Sequence, residues 1–136
     1  MIRLFLAFTS FLPLKTNHSF GSFIGYLLYL FNSEAKSVSK QNLEICFPGL
    51  SELELKSLLK KVLTETGKGL TESGLIWNQN FTDNAKLIRN INGEHYLDSS
   101  KKTILLVPHM GCWEITGRVL AEKRKVTFMY RPLRNI

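Results

Sequence analysis

Five residues, Thr103 to Val107, are β-branched or aliphatic without a break and run straight into Pro108-His109-Met110-Gly111. No other stretch limits the fold as much. An unbroken apolar run of that length reads as a strand buried on both faces. Pro108 has no N–H to give to a ladder and ends it. His109 then stands just past the C-terminal end of the strand, the edge at which open α/β sheets bind ligands. Gly111 lets the backbone turn, and Cys112 to Glu122 is predicted to run on as a helix.

His109 and Glu114 are five positions apart. On one regular helix they would differ by about 140° and could not meet. On one strand an odd separation puts them on opposite faces. A turn at Gly111 is what allows them to meet, so the segment makes sense as a strand–turn–helix site. A carboxylate holding one imidazole nitrogen leaves the other free to take a proton from a hydroxyl.

The rest of the chain is read around that site. Residues 2 to 14 are apolar apart from Arg3, Thr9 and Ser10; residues 15 to 19 are polar; Phe20 to Phe31 is apolar again. Neither run reaches the ~18–20 residues that cross a bilayer cleanly. A signal peptide would use Arg3 and Leu4 to Leu14, but no small-x-small cleavage site follows. A plainer reading packs the two runs as a helix pair in the core. The favoured one makes residues 1–40 a hydrophobic membrane-anchor region, as a tilted span, a re-entrant helix or an interfacial helix. Its aromatics, among them Phe5, Phe8, Phe11, Tyr26 and Tyr29, suit an interface. Asn32 to Lys40 is polar and reads as a helix end or linker. Ser51 and Glu54 form a capping box. From there Leu55, Leu58, Leu59, Val62, Thr66, Leu70, Ser73 and Trp77 mark one face of a helix about 27 residues long. Gly67, Gly69 and Gly74 weaken that helix and suggest close packing. Thr82-Asp83 caps a short helix over 84–90, Ile91-Asn92-Gly93 reads as a strand and turn, Glu94 to Ser99 as a helical turn, and Val126 to Tyr130 as a strand. The expected fold class is therefore α/β: N-terminal hydrophobic anchor helices, then residues 41–136 as a sheet with crossover helices.

The 18 Lys and Arg against 11 Asp and Glu give a net charge of +7. That balance suits a polyanionic partner such as an anionic membrane face or an acidic carrier protein. The basic residues are scattered and no basic stripe is interleaved with aromatics, so nucleic acid is not the expected partner. Cys46 and Cys112 lie far apart and suggest no disulfide framework.

Four landmarks stand in one order: Gln41-Asn42-Leu43-Glu44-Ile45-Cys46-Phe47-Pro48, Trp77 after the long helix containing Glu72, His109-x4-Glu114, and Tyr130-Arg131-Pro132-Leu133-Arg134-Asn135. Together they resemble the N-terminal part of the lauroyl/myristoyl (late) acyltransferases of lipid A biosynthesis, within the glycerolipid-acyltransferase-like group. The resemblance implies an acyltransferase-like fold and an inner-membrane enzyme with its catalytic part on the cytoplasmic side. The donor would be an acyl-acyl carrier protein and the acceptor a Kdo-bearing lipid A precursor. His109 would be the general base and Glu114 its orienting carboxylate. Arg131 would bind phosphate or stabilise charge, with Arg134 and Asn135 as weaker substrate-binding candidates. No cofactor and no metal is implied, because a thioester is already activated. The family's later motifs have no counterpart before Ile136, so the chain reads as a fragment or truncated product without turnover of its own.

Each residue also has a plainer reading. His109 can be a loop residue bonded to backbone, Glu114 a helix N-terminal carboxylate, and Arg131 a partner of Glu122 or Glu114. His18 and His95 receive no role. Cys112 admits a thiol-nucleophile reading, and a zinc site at His109, Cys112 and Glu114 lacks a further ligand. The alternatives to the main reading are an inactive membrane-associated remnant and an acyltransferase acting on another glycerolipid or glycolipid acceptor.

Overall fold

The computed structural model describes residues 2–97 and 101–129. They form two compact units, Met1–Asn80 and Phe81–Ile136.

The first unit is helical. It comprises α1 (Ile2–Ser10), α2 (Leu14–Leu30), α3 (Glu34–Cys46) and α4 (Glu52–Asn78). The predicted 27-residue helix is α4, and its start is the predicted capping box. The Ser51 hydroxyl and backbone N–H donate to the Glu54 carboxylate at 2.7 and 2.9 Å. Those two bonds, the hydroxyl's first, hold the Glu54 carboxyl below its ordinary range. Polarity misled the reading of Asn32 to Lys40: Ser33 caps α3 there, its hydroxyl accepting from the Lys36 N–H.

The predicted apolar face of α4 holds in its first half, where Leu59 is buried and Leu55, Leu58 and Val62 pack against the core, and fails in its second. Thr66, Leu70 and Trp77 are exposed, whereas Leu59, Leu63, Gly67, Thr71 and Gly74 are buried. The small residues decide this. A Cβ on Gly67 would lie 2.6 Å from the Gly25 nitrogen, and one on Gly25 would lie 2.6 Å from Thr64 Cα. The α2 and α4 backbones therefore touch, and no larger side chain fits between them. The buried Asn17 side chain ties three helices at the same seam. Its amide donates to the Thr9 carbonyl at 2.9 Å and the Thr71 carbonyl at 3.1 Å, while the Thr71 hydroxyl donates to the Asn17 carbonyl at 3.2 Å. His18 Nε2 meets the Glu72 carboxylate beside it, giving a partner to a histidine to which the sequence assigned no role. Beyond the seam, Leu43, Leu59 and Leu63 form the apolar core with Leu28, Tyr29 and Leu55 against them.

The second unit holds α5 (Phe81–Ala85), a 3-10 turn (Glu94–Leu97) and α6 (Trp113–Lys123). The helix after Gly111 and the turn at Glu94 are thus present as predicted, and α5 starts and stops earlier than predicted. The α/β expectation is overturned: among the described residues there is no strand and no sheet. A strand exists only as a member of a ladder, and apolarity alone does not supply a partner. Thr103–Val107 keeps the side-chain alternation of extended chain, with Ile104 and Leu106 90 % or more exposed and Leu105 and Val107 partly covered, but pairs with nothing. Ile91–Gly93 and residues 126–129 form no strand either; Tyr130 lies outside the described residues.

Of the three forms of N-terminal membrane anchor, the tilted span is overturned for a separate reason. Pro13 divides the apolar sequence, and the polar residues 15–19 fall inside α2 rather than in a linker. No helix among the described residues is long and apolar enough to cross a membrane.

Gly67→Ala is expected to destabilise the first unit by about 1–3 kcal/mol through overpacking. Gly69, whose Cβ would meet open space, is the control: Gly69→Ala is expected to be neutral or to stabilise by up to about 1 kcal/mol. Urea titrations followed by far-UV circular dichroism compare the two, and equal midpoints would contradict the seam.

Candidate active-site segment

The site lies within the second unit, where the chain enters α6. The Met110 N–H donates to the Pro108 carbonyl at 2.8 Å, closing a tight turn. Gly111 follows with φ +54°, a left-handed backbone that a side chain disfavours by roughly 1–2 kcal/mol. Space is not the constraint there, since a Cβ at Gly111 would touch nothing; backbone conformation is. After the turn, Cys112 precedes the helix without giving it a side-chain cap, and α6 begins at Trp113.

Those local facts place the predicted pair. His109 is exposed ahead of the turn. Glu114 is partly buried in the first turn of α6, where the unpaired N–H groups and the helix dipole favour a carboxylate. The two are on opposite sides of Gly111, as a strand–turn–helix site requires, although the segment before the turn is not a strand. No hydrogen bond joins His109 to Glu114 among the described residues. The His109 ring instead lies on the Trp113 indole, with centroids 4.1 Å apart and planes 7° from parallel. Reading the sequence by titratable groups missed Trp113; the only signal for it was an aromatic four residues after the histidine, across a glycine.

Further along, Val119 and Leu120 are the buried residues of α6. Gly117 admits the Phe128 ring, to which a Cβ would come within 3.4 Å. Lys123 pairs with Glu94 of the 3-10 turn, and the Arg124 guanidinium donates to the Lys101 carbonyl at 3.0 Å. These contacts hold the middle and the C-terminal end of α6, the helix that carries Trp113 and Glu114 in its first turn. Cys112 is a partly buried cysteine. Arg131, Arg134 and Asn135, the expected substrate-binding residues, lie outside the described residues.

Comparison with known proteins agrees with the landmarks. The family model for bacterial lipid A biosynthesis acyltransferases matches residues 2–136. The lipid A biosynthesis lauroyltransferase of Escherichia coli is 31% identical over 124 residues, covering 89% of this chain and 40% of that protein. A lipid A biosynthesis acyltransferase of Haemophilus influenzae is 26% identical, covering 85% of this chain and 37% of that one. The lipid A biosynthesis palmitoleoyltransferase of Escherichia coli is also 26% identical, over 85% and 39%. No solved structure matches. The chain thus spans about 40% of the length of these relatives. With most of its length covered by the family model, the chain belongs to the bacterial lipid A biosynthesis acyltransferase family.

Proposed function

We propose that this chain carries the general-base segment of an enzyme that moves a fatty acyl group from an acyl-acyl carrier protein to a hydroxyl of a Kdo-bearing lipid A precursor. The observation that carries the reading is the turn at Gly111, which sets an exposed imidazole before α6 and a carboxylate in its first turn. Family membership supports the chemistry.

In the proposed reaction, His109 takes the proton of the acceptor hydroxyl as its oxygen attacks the thioester carbonyl. The new C–O bond gives a tetrahedral oxyanion. Its collapse breaks the C–S bond, and the imidazolium returns the proton to the departing sulfur. Glu114 orients the ring and offsets the charge it gains, as the carboxylate of a triad does. The oxyanion needs donors, and Arg131 is the candidate, with Arg134 and Asn135 on the acceptor's anionic groups. Both substrates are anionic, and the chain's charge of +7 favours their encounter.

The place of action is the cytoplasmic face of the inner membrane, by surface contact without a span. Leu4 and Phe8 stand one turn apart on α1, with Phe11 just beyond it, and all three are exposed. Phe23, Tyr26 and Leu30 repeat the helical spacing on α2 and are exposed as well. Apolar side chains at that spacing suit the boundary between headgroups and acyl chains.

Two measurements check these readings. In a full-length enzyme carrying this segment, assayed with labelled acyl-carrier donor and lipid A precursor, His109→Ala is expected to cost roughly 10²–10⁴-fold in turnover. Glu114→Ala should approach that loss, and the double variant should be little worse than the single ones, because residues acting as a unit are non-additive. An inactive Cys112→Ala beside an active His109→Ala would establish the thiol instead. For the membrane, Leu4→Glu with Phe11→Glu is expected to weaken sedimentation with anionic phospholipid vesicles at least tenfold, since each apolar side chain withdrawn from lipid costs about 1.5–3 kcal/mol. Unchanged binding at unchanged helix content would remove α1 from the contact.

A further inference from the structure

We infer that Trp113 is the positioning residue for the His109 ring: its indole forms the platform that holds the imidazole plane and faces the positive charge the ring acquires in the reaction. The inference rests on the reading of His109 as the base and adds to it a residue with no titratable group.

Three observations carry it. The rings are 4.1 Å apart and 7° from parallel. Near-parallel stacking is favourable between neutral rings when offset, and a cation is also drawn to the face of an indole within about 6 Å of its centroid. The arrangement therefore suits an imidazole that becomes an imidazolium. Second, Trp113 is the first residue of α6, so its Cα is fixed by a helix whose far end is held by the Lys123–Glu94 pair and buried Leu120. His109 is the central residue of the exposed Pro108–Met110 turn, and the stack ties its ring to α6. Third, Trp113 is 38 % exposed, more than a tryptophan serving the core would be. One indole face meets the imidazole. Stacking restrains the ring's tilt while leaving both nitrogens at the ring edge, one for the orienting carboxylate and one for the substrate proton.

The test has a structural arm and a kinetic arm. In the 136-residue chain with selectively labelled histidine, the His109 ring protons are expected upfield of those of His18, because they lie over an indole face. Trp113→Leu should abolish the displacement and Trp113→Phe should keep part of it. His109 signals unmoved by Trp113→Leu would mean that there is no stack, and would overturn the inference. In the transfer assay, Trp113→Leu is expected to lower kcat by roughly two- to five-fold from the lost ring-face attraction alone, with KM little changed and most of the rate restored in Trp113→Phe. A loss confined to KM would make Trp113 a substrate contact and refute the positioning role. An unchanged kcat in Trp113→Leu beside an inactive His109→Gln would also refute it while leaving the base intact. An active His109→Gln would end both readings.

Discussion

The first unit depends on one constraint, the contact of the α2 and α4 backbones at Gly25 and Gly67. Where two helices approach until main chain meets main chain, their relative placement is fixed by sterics more tightly than by apolar side chains, which can repack. The Asn17 amide works only because of that approach, since its two acceptors belong to α1 and α4 and both must lie within hydrogen-bond reach. The leucine core beneath the seam follows from the same geometry. Large apolar residues such as Leu4, Phe8, Phe23 and Leu30 are left exposed on α1 and α2.

Helices were more legible in the sequence than their contacts. The capping box at Ser51 and Glu54 and the glycine before α6 are local signals, and local signals located α4 and α6 to within a residue or so. The buried face of the second half of α4 was misjudged because hydrophobic periodicity assumes that the largest apolar residues face inward, whereas a glycine seam buries the smallest. The run from Thr103 to Val107 was misjudged for the converse reason. Its composition states that it can be buried, but burial and pairing are properties of a neighbour, and a run of five residues does not encode one.

The candidate site divides in the same way. His109, Gly111 and Glu114 were found because each has a chemical or conformational property that spacing can interrogate: a base, a left-handed turn, a carboxylate at a helix start. Trp113 lies between them and has neither a charge nor an unusual backbone. What it contributes is a surface, and a surface becomes visible only when something rests on it. A description of the segment as a histidine–carboxylate pair is thus incomplete, because the His109 ring rests on the Trp113 indole, a contact that chemistry-based motifs do not record.

The seam also bears on how the protein can associate with itself. Gly21 and Gly25 are four residues apart on an apolar helix, the GxxxG spacing by which helices in lipid commonly dimerise. Here both glycines are occupied by α4 of the same chain. The face that would otherwise join two copies is closed by an intramolecular third party, and a GxxxG motif read as a dimer signal would in this protein point to a fold contact.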